Sequence, residues 1–284
     1  MRAEACVPRG ASARARPVHR AGDDPEGATM RAVKWMAAAA LAGASGAALG
    51  AADACAATSP AHTVALVELF TSEGCSSCPP ADEWMRRLPE AGFDATRVVP
   101  LSLHVDYWDY IGWRDRFALA RFTERQRRYS SLSGLRFVYT PQVVLAGRDY
   151  RAWHGGGFGR DVRAVNARAA RAAITVALDP LAAGASNVRV QAQAAGRADG
   201  AALHVAVYEN GLTSEVKSGE NRGATLRHDY VVREWIGPVA LDGAGRAEVA
   251  QRIAHGGRGG VAAFVQDERS GEVLQATALA HCGG

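Results

Sequence analysis

The sequence predicts an α/β domain followed by a β-sandwich. From Val64 to Ala173, runs of strand-type residues alternate with segments of helical periodicity, which is typical of an α/β domain. From Ile174 onward, seven short strand-like runs separated by turn residues fill about 110 residues without a long helical segment. We therefore expect an α/β domain over residues 57–173 and a sandwich over 174–284.

The stretch Val64–Pro80, reading VALVELFTSEGCSSCPP, predicts a reactive cysteine pair. An apolar strand leads into a Cys-x-x-Cys turn, and a helix is expected from about Pro80, where a proline in the first turn is tolerated. Unpaired N–H groups and the macrodipole at a helix N-terminus stabilise a thiolate, and a lowered pKa makes a cysteine reactive near neutral pH. We expect Cys75 to be the attacking thiol and Cys78 its resolving partner.

The elements that follow continue the alternation. Arg97–Val105 is an almost continuous apolar run, typical of a strand covered on both faces. A polar and aromatic segment then leads into a helix expected over Asp115–Leu132. A strand over Gln142–Leu145 and a helix reaching about Ala173 complete the predicted domain.

The N-terminal region has the pattern of an export signal. Residues 30–56 combine a basic start, an Ala-rich apolar stretch and small residues around 52–57, as in a secretory signal peptide. Residues 1–29 fit no targeting pattern and are expected to be a non-native or disordered extension. The signal predicts a periplasmic or secreted protein, leaving Cys282 as a free tail thiol or an interchain link.

The charge pattern limits the classes of partner. The formal net charge of +4 gives no indication of nucleic-acid binding. The basic run RFTERQRR, Arg121–Arg128, is interpreted as a solvated helix face. The apolar part of the signal is too short for a spanning helix, so no stable membrane anchor is expected.

The first half resembles the thioredoxin-like fold, with a strand running into CSSC, a helix, another strand, and Thr140–Pro141 just before a later strand. The resemblance implies a cis bond at Pro141, beside the cysteines, and a helical insertion over His104–Leu135. It also implies that a buried acid in the first strand, here Glu68, assists proton transfer. Because Glu68 stands one residue further from the first cysteine than in that fold, a paired or solvent-facing carboxylate is the alternative.

Longer blocks resemble a more specific family. VELFTSEGCSSCPPAD, PLSLHVDYWDYIGWRDRF, FTERQRRY, VYTPQVV and SGENRGATLRHDYVVREW together resemble the bacterial secreted family DUF1223. That resemblance covers nearly the whole chain after the signal and implies an exported, thioredoxin-like protein. It implies no particular reaction.

The function expected from these patterns is thiol–disulfide exchange with protein or small-molecule thiols and disulfides. Catalysis is assigned to Cys75, Cys78, Pro141 and Glu68, and substrate binding to Thr140, His104 and Trp108. Packing of the inserted helix is the alternative role for the histidine and the tryptophan.

Other functions stay open. The main alternative is a binding or adaptor protein with a static disulfide. A Cu or Zn site on the two cysteines and His104 is weaker, because a single Cys-x-x-Cys supplies only two ligands. No cofactor is predicted.

Overall fold

The computed structural model describes residues 55–181, 184–196 and 198–282. The predicted extension over 1–29 and the signal segment as far as residue 54 lie outside them. Among the described residues there are three α-helices: α1 Pro79–Arg86, α2 Ala120–Leu132 and α3 Phe158–Asn166. The strands are β1 Cys55–Thr58, β2 Ala65–Thr71, β3 Val98–His104, β4 Gln142–Leu145, β5 Arg148–Asp149, β6 Ala172–Leu181, β7 Ala185–Ala194, β8 Ala201–Glu209, β9 Leu212–Glu215, β10 Thr225–His228, β11 Val231–Ala240, β12 Arg246–Ala254, β13 Gly259–Asp267 and β14 Val273–Ala280.

One eight-stranded sheet runs through both halves of the sequence, in the order β14-β13-β8-β11-β3-β2-β4-β5. Strand β11 from the second half pairs in parallel with β3 from the first, through Val231 and Ser102. The amide and hydroxyl of Ser102 also donate hydrogen bonds to the carbonyls of Tyr230 and Asp229, over 2.8 and 2.9 Å. The two halves are therefore joined by backbone pairing within a single sheet.

The predicted fold class is wrong. The chain is mainly β, and its strands form a large sandwich-like arrangement instead of an α/β thioredoxin-like domain with a helical insertion followed by a sandwich. The expected strand–helix alternation exists locally, but an exposed strand edge presents unpaired N–H and C=O groups that another strand can complete. Strand β11 completes the edge of β3, which the local pattern of the sequence does not reveal.

The two faces of the large sheet are covered differently. Side chains of α2 pack on one face, where Phe122 and Tyr129 join Phe70 of β2 and Phe264 of β13 in one buried cluster. On the other face, α1 and α3 cover β2 and β4. Further along that face, a four-stranded sheet in the order β1-β6-β7-β12 packs against β8, β13 and β14. Successive residues of β2 alternate between the two faces, so this strand is apolar on both sides.

The basic run on α2 is only in part a solvated face: Arg121 and Arg127 are exposed, whereas other arginines of the run bind the helix to the sheet. Arg125 is nearly buried and donates a hydrogen bond over 2.6 Å to Glu68 on β2. Arg128 pairs with Glu268, and Arg121 donates to the carbonyl of Trp235 over 2.6 Å. The arginines follow the helical period, so several reach the same neighbouring surface.

The two ends of the described chain are joined by a disulfide. Cys55 begins β1, which pairs antiparallel with β6, and its sulfur is bonded to that of Cys282. The expectation of a free or interchain Cys282 is therefore wrong. The long sequence separation of the two cysteines conceals a pairing that the strands bring about.

None of the helices in the described part of the chain is long and apolar enough to cross a membrane.

Candidate active site

The Cys-x-x-Cys turn lies between the end of β2 and the start of α1, as the local sequence pattern predicts. Cys75 and Cys78 form a disulfide with their Cα atoms 5.5 Å apart. Pro79 and Pro80 occupy the first helical positions, where their missing N–H groups cost no intrahelical hydrogen bond. Both cysteines are almost fully buried, at 1% and 0% exposure, whereas the two serines between them are exposed. The turn therefore presents its two serines to solvent and its sulfur atoms to the interior.

The predicted proline lies beside this turn. The Thr140–Pro141 bond is cis, as expected. The hydroxyl of Ser77 donates to the carbonyl of Thr140 over 3.4 Å, and the same hydroxyl oxygen is 3.3 Å from the sulfur of Cys75. Trp108 donates its indole N–H to the Thr140 hydroxyl over 2.8 Å. The fold thus brings five of the seven predicted site residues, all except Glu68 and His104, to one place together with Ser77.

Glu68 lies elsewhere and is fully engaged. Its carboxylate accepts hydrogen bonds from Arg125 over 2.6 Å and from the Tyr129 hydroxyl over 2.5 Å, and it has no exposed surface. The charged guanidinium on one carboxylate oxygen and the hydroxyl on the other make this a structural, hydrogen-bonded ion pair between β2 and α2. The alternative of a paired carboxylate is the one observed.

His104 is also buried, but in a different cluster from the proline. Its Nδ1 lies 2.7 Å from Asp115, and its ring packs edge-on against the rings of Phe117 and His228. The negative charge of Asp115 is stabilised so strongly by His104 and by two backbone N–H groups that its pKa falls to about 2 despite burial. His104 therefore orients buried groups behind the turn and is not at the surface where a substrate would bind.

A loop from the second half of the chain covers the cysteine turn. Residues 216–224, between β9 and β10, form this covering loop. Asn221 donates its side-chain N–H groups to the carbonyls of Glu73 and Cys75, over 2.8 and 3.0 Å. Glu220 accepts a hydrogen bond from the backbone N–H of Ser76 over 3.0 Å.

The covering loop packs closely on the aromatic segment. Gly219 has a positive φ of 76°, and a Cβ added there would lie 3.3 Å from the Cβ of Trp113. Trp113 in turn donates its indole N–H to Glu73 over 2.8 Å. Neither Asn221 nor Glu220 was among the predicted site residues. Their position in a polar, Gly-containing loop was the only local feature of the sequence that pointed to them.

Ionisable side chains are concentrated beneath the turn. Glu73 precedes the first cysteine, Asp82 is in the first turn of α1, and His228 ends β10 between them. The imidazole of His228 lies 3.4 Å from a Glu73 oxygen and 3.9 Å from an Asp82 oxygen. All three are buried, and sequence reasoning missed them because their proximity depends on strands far apart in the chain.

No candidate metal site is present among residues 55–181, 184–196 and 198–282, because no group of three or more His, Cys, Asp or Glu side chains there has a geometry suited to a metal ion. The two cysteine sulfurs are bonded to each other.

Taken together, fold and site define a class: a mainly β protein that carries a buried Cys-x-x-Cys disulfide at the start of a helix and beside a cis-proline. Residues 66–266 match the family described as "Protein of unknown function (DUF1223)". The chain belongs to this family.

Two solved structures are similar to this chain. Protein AGR_C_4864 from Agrobacterium tumefaciens is 30% identical, with a TM-score of 0.57 over 76% of this chain and 94% of that one. HBP35 of Porphyromonas gingivalis is 15% identical, with a TM-score of 0.57 over 78% of this chain and 76% of that one, and supports the fold alone. The sequence matches no curated protein.

Proposed function

We propose that this protein carries out thiol–disulfide exchange through Cys75 and Cys78, with protein or small-molecule thiols and disulfides as partners. The observation that carries the proposal is the disulfide at the N-terminus of α1, beside the cis Thr140–Pro141 bond. A thiolate at this position interacts favourably with the unpaired N–H groups and the dipole of the helix. The Ser77 hydroxyl, 3.3 Å from the Cys75 sulfur, is a further hydrogen-bond donor for that thiolate.

The exchange follows from the order of the two cysteines. A partner thiolate attacks Cys75, the Cys75–Cys78 bond breaks, and a mixed disulfide forms while Cys78 leaves as a thiolate. A second partner thiol then releases Cys75, so that the partner is oxidised to a disulfide and the cysteine pair gains two electrons. The reverse sequence reduces a partner disulfide.

An exported location supports this chemistry. The segment 30–56 has the pattern of a signal peptide, and disulfides persist in oxidising compartments such as the periplasm and the extracellular space. A second disulfide, Cys55–Cys282, is compatible with the same environment and requires the signal to be cleaved before Cys55, two residues earlier than the predicted end of the signal at 56. We therefore propose a periplasmic or secreted protein.

A specific observation favours a second candidate, an adaptor protein with a static disulfide. Both cysteines are buried, and Asn221 hydrogen-bonds over the turn. Under the exchange proposal the covering loop 216–224 must open to admit a partner. Under the adaptor candidate it stays closed.

A redox titration of the full chain separates the two candidates. The protein is equilibrated in glutathione or dithiothreitol buffers and alkylated, and each disulfide is quantified separately by mass spectrometry. We expect Cys75–Cys78 to have a potential between about −270 and −120 mV, the range of thiol–disulfide exchange proteins. A value below about −300 mV is that of a structural disulfide and would overturn the proposal.

A trapping experiment tests the roles of the two cysteines. Cys78→Ser is expected to accumulate a mixed disulfide between Cys75 and a partner, because the resolving thiol is missing. The matched control is the double variant Cys55→Ser/Cys282→Ser, which keeps both site cysteines and should accumulate none. Equal trapping by both variants would contradict the assignment.

A further inference from the structure

A cavity lies behind the cysteine turn, between α1 and β10. It has a volume of about 270 Å³. Pro79, the residue directly after Cys78, lines it together with Asp82 and His228. The cavity therefore adjoins the residue that follows the second cysteine, and its wall includes a buried acid and a buried imidazole.

The His228 ring is buried without the hydrogen bonds that such a group normally makes. Its side chain is 1% exposed, and within the described residues neither ring nitrogen has a well-formed hydrogen bond. Its nearest acceptors are Glu73 at 3.4 Å and Asp82 at 3.9 Å, one on each side of the ring. Buried polar atoms are seldom left unpaired, and exceptions call for a functional or structural explanation. A ring between two carboxylates can accept a proton on one side and donate one on the other.

The charges around this ring leave one group poised near neutral pH. Burial raises the pKa of Asp82 to about 7, against the lowering effects of His228 and of the hydroxyl of Thr71, which donates over 3.2 Å. The negative charges of Asp115 and Glu73 raise it further.

The neighbouring acids behave differently. Burial raises the pKa of Glu73, but the contact with His228 and the hydrogen bond from Trp113 outweigh it and hold the pKa below its usual range. The charge of Asp115 is held by His104. Besides Asp82 and His228, the ionisable residues at the cavity wall are Glu83 and Arg227. Glu83 is paired with Arg86 and Arg87.

Asp82 is also in the right place along the helix. It is four residues after Cys78, and its backbone N–H donates to the Cys78 carbonyl over 3.1 Å. Side chains four residues apart lie on one face of a helix, with their Cβ atoms about 5–6 Å apart. The carboxyl group therefore lies on the same face of the helix as the residue that carries the leaving sulfur, one helical turn away.

We propose that Asp82 and His228 form a proton relay for the Cys75–Cys78 pair, connected to water through the cavity behind the turn; this inference rests on the proposed exchange function. When a partner thiolate attacks Cys75, the leaving Cys78 thiolate takes the proton of the Asp82 carboxyl, which becomes a carboxylate. His228 then returns a proton to Asp82 from water in the cavity. In the reverse direction Asp82 accepts the proton of the Cys78 thiol.

The test is the pH dependence of disulfide reduction in the full chain. The rate of reaction of Cys75–Cys78 with dithiothreitol is measured from pH 5 to 9 and divided by the thiolate fraction of the reagent. In the wild type this corrected rate should fall as pH rises through about 7, because the proton donor is lost. Asp82→Asn should give a rate at pH 6 that is roughly 100-fold lower, the lower end of the range of a general acid, with no inflection near 7.

Two further variants complete the experiment. Glu83→Gln is the matched control, since it removes an adjacent carboxyl in the same cavity wall and should keep the wild-type profile. His228→Gln should shift or flatten the inflection while Asp82 is unchanged, and serves if Asp82→Asn does not fold. An unchanged profile in a folded Asp82→Asn or His228→Gln protein would overturn the relay. If the wild type is not reduced at potentials above about −300 mV, the exchange function fails, and the relay fails with it.

Discussion

The two disulfides have nearly the same span and very different surroundings. Cys75–Cys78 bridges Cα atoms 5.5 Å apart and three positions apart in sequence, whereas Cys55–Cys282 bridges 5.9 Å across a separation of 227. A cross-link restricts the unfolded chain in proportion to the logarithm of the loop it closes. That relation gives roughly 2 kcal/mol for a four-residue loop and about 5 kcal/mol for one of some 230 residues. Of the two disulfides, the long one is therefore expected to contribute more to the free energy of unfolding.

The side chains around each disulfide reinforce the difference. The short one lies at a helix start, above buried carboxylates and an unpaired imidazole. The long one joins the beginning of β1 to the residue after His281, whose ring stacks on His255 at 3.9 Å. One disulfide lies beside buried ionisable groups, among which the pKa of Asp82 is raised to about 7, and the other lies at strand ends. The proposed chemistry and the cross-link between distant parts of the chain thus involve different disulfides.

Removal of the long disulfide is the largest expected effect. The double variant Cys55→Ser/Cys282→Ser should lower the free energy of unfolding by roughly 2–5 kcal/mol, because the unfolded chain loses its long loop. The measurement is denaturant unfolding without reductant. The matched variant Cys75→Ser/Cys78→Ser should lose no more than about 2 kcal/mol. A larger loss in the second variant would reverse the comparison.

The short-disulfide region should lose stability as the pH rises. The folded protein holds the Asp82 proton to a pKa of about 7, whereas an ordinary aspartate releases it near 3.8. The folded state therefore binds more protons between these values, and the stabilisation present below pH 4 is lost as pH rises through 7. At about 1.4 kcal/mol per pH unit, the upper bound of this loss is about 4 kcal/mol.

Asp82→Asn should remove most of that slope, since the amide does not ionise. Denaturant unfolding at pH 4.5 and at pH 8 measures the slope, and Glu83→Gln is the control that should retain it. A slope unaffected by Asp82→Asn would show that this carboxyl is ionised in the folded protein.

Loosening the covering loop should act on one disulfide alone. Asn221→Ala removes two hydrogen bonds to the carbonyls of Glu73 and Cys75, at a cost of roughly 1 kcal/mol each. We expect Cys75–Cys78 to be reduced by dithiothreitol up to roughly 30-fold faster, in line with a change of about 2 kcal/mol in loop opening, while the rate for Cys55–Cys282 stays the same. The control is Asn187→Ala on the exposed side of β7. Equal acceleration of both disulfides would indicate global unfolding.

The long-disulfide region should show the smallest effect, with the opposite sign of pH dependence. Burial and the neighbouring His255 lower the pKa of His281 to about 4, so the folded state resists a proton that the unfolded chain binds near 6.5. Stability should therefore fall as pH drops from about 6.5 to 4. His281→Gln should reduce this fall, and the exposed His154→Gln should not. Unfolding curves at pH 7 and 4.5 decide the matter.

Local sequence patterns predicted the part of the site that is contiguous in the chain. Strand-type residues before CSSC, prolines at the start of α1 and the cis bond at Pro141 are observed where they were expected. The strand and the helix start depend on preferences of neighbouring residues, such as the tolerance of a helix start for proline, whereas the cis bond was implied by the resemblance to the thioredoxin-like fold. Glu68 was chosen from a resemblance, and the structure gives it two partners on α2 instead.

What the sequence by itself determined is thus a cysteine pair at a helix start, its neighbouring proline and the alternation of apolar residues along each strand. The tertiary structure decided which strands share a sheet, because the free edge of β3 carries no side-chain code for β11 as its neighbour. It also decided that Asn221 covers a turn 146 residues away, that His228 lies beneath it, and that Cys282 meets Cys55. These contacts depend on backbone pairing and packing over long sequence separations, and no local pattern in the chain specifies them.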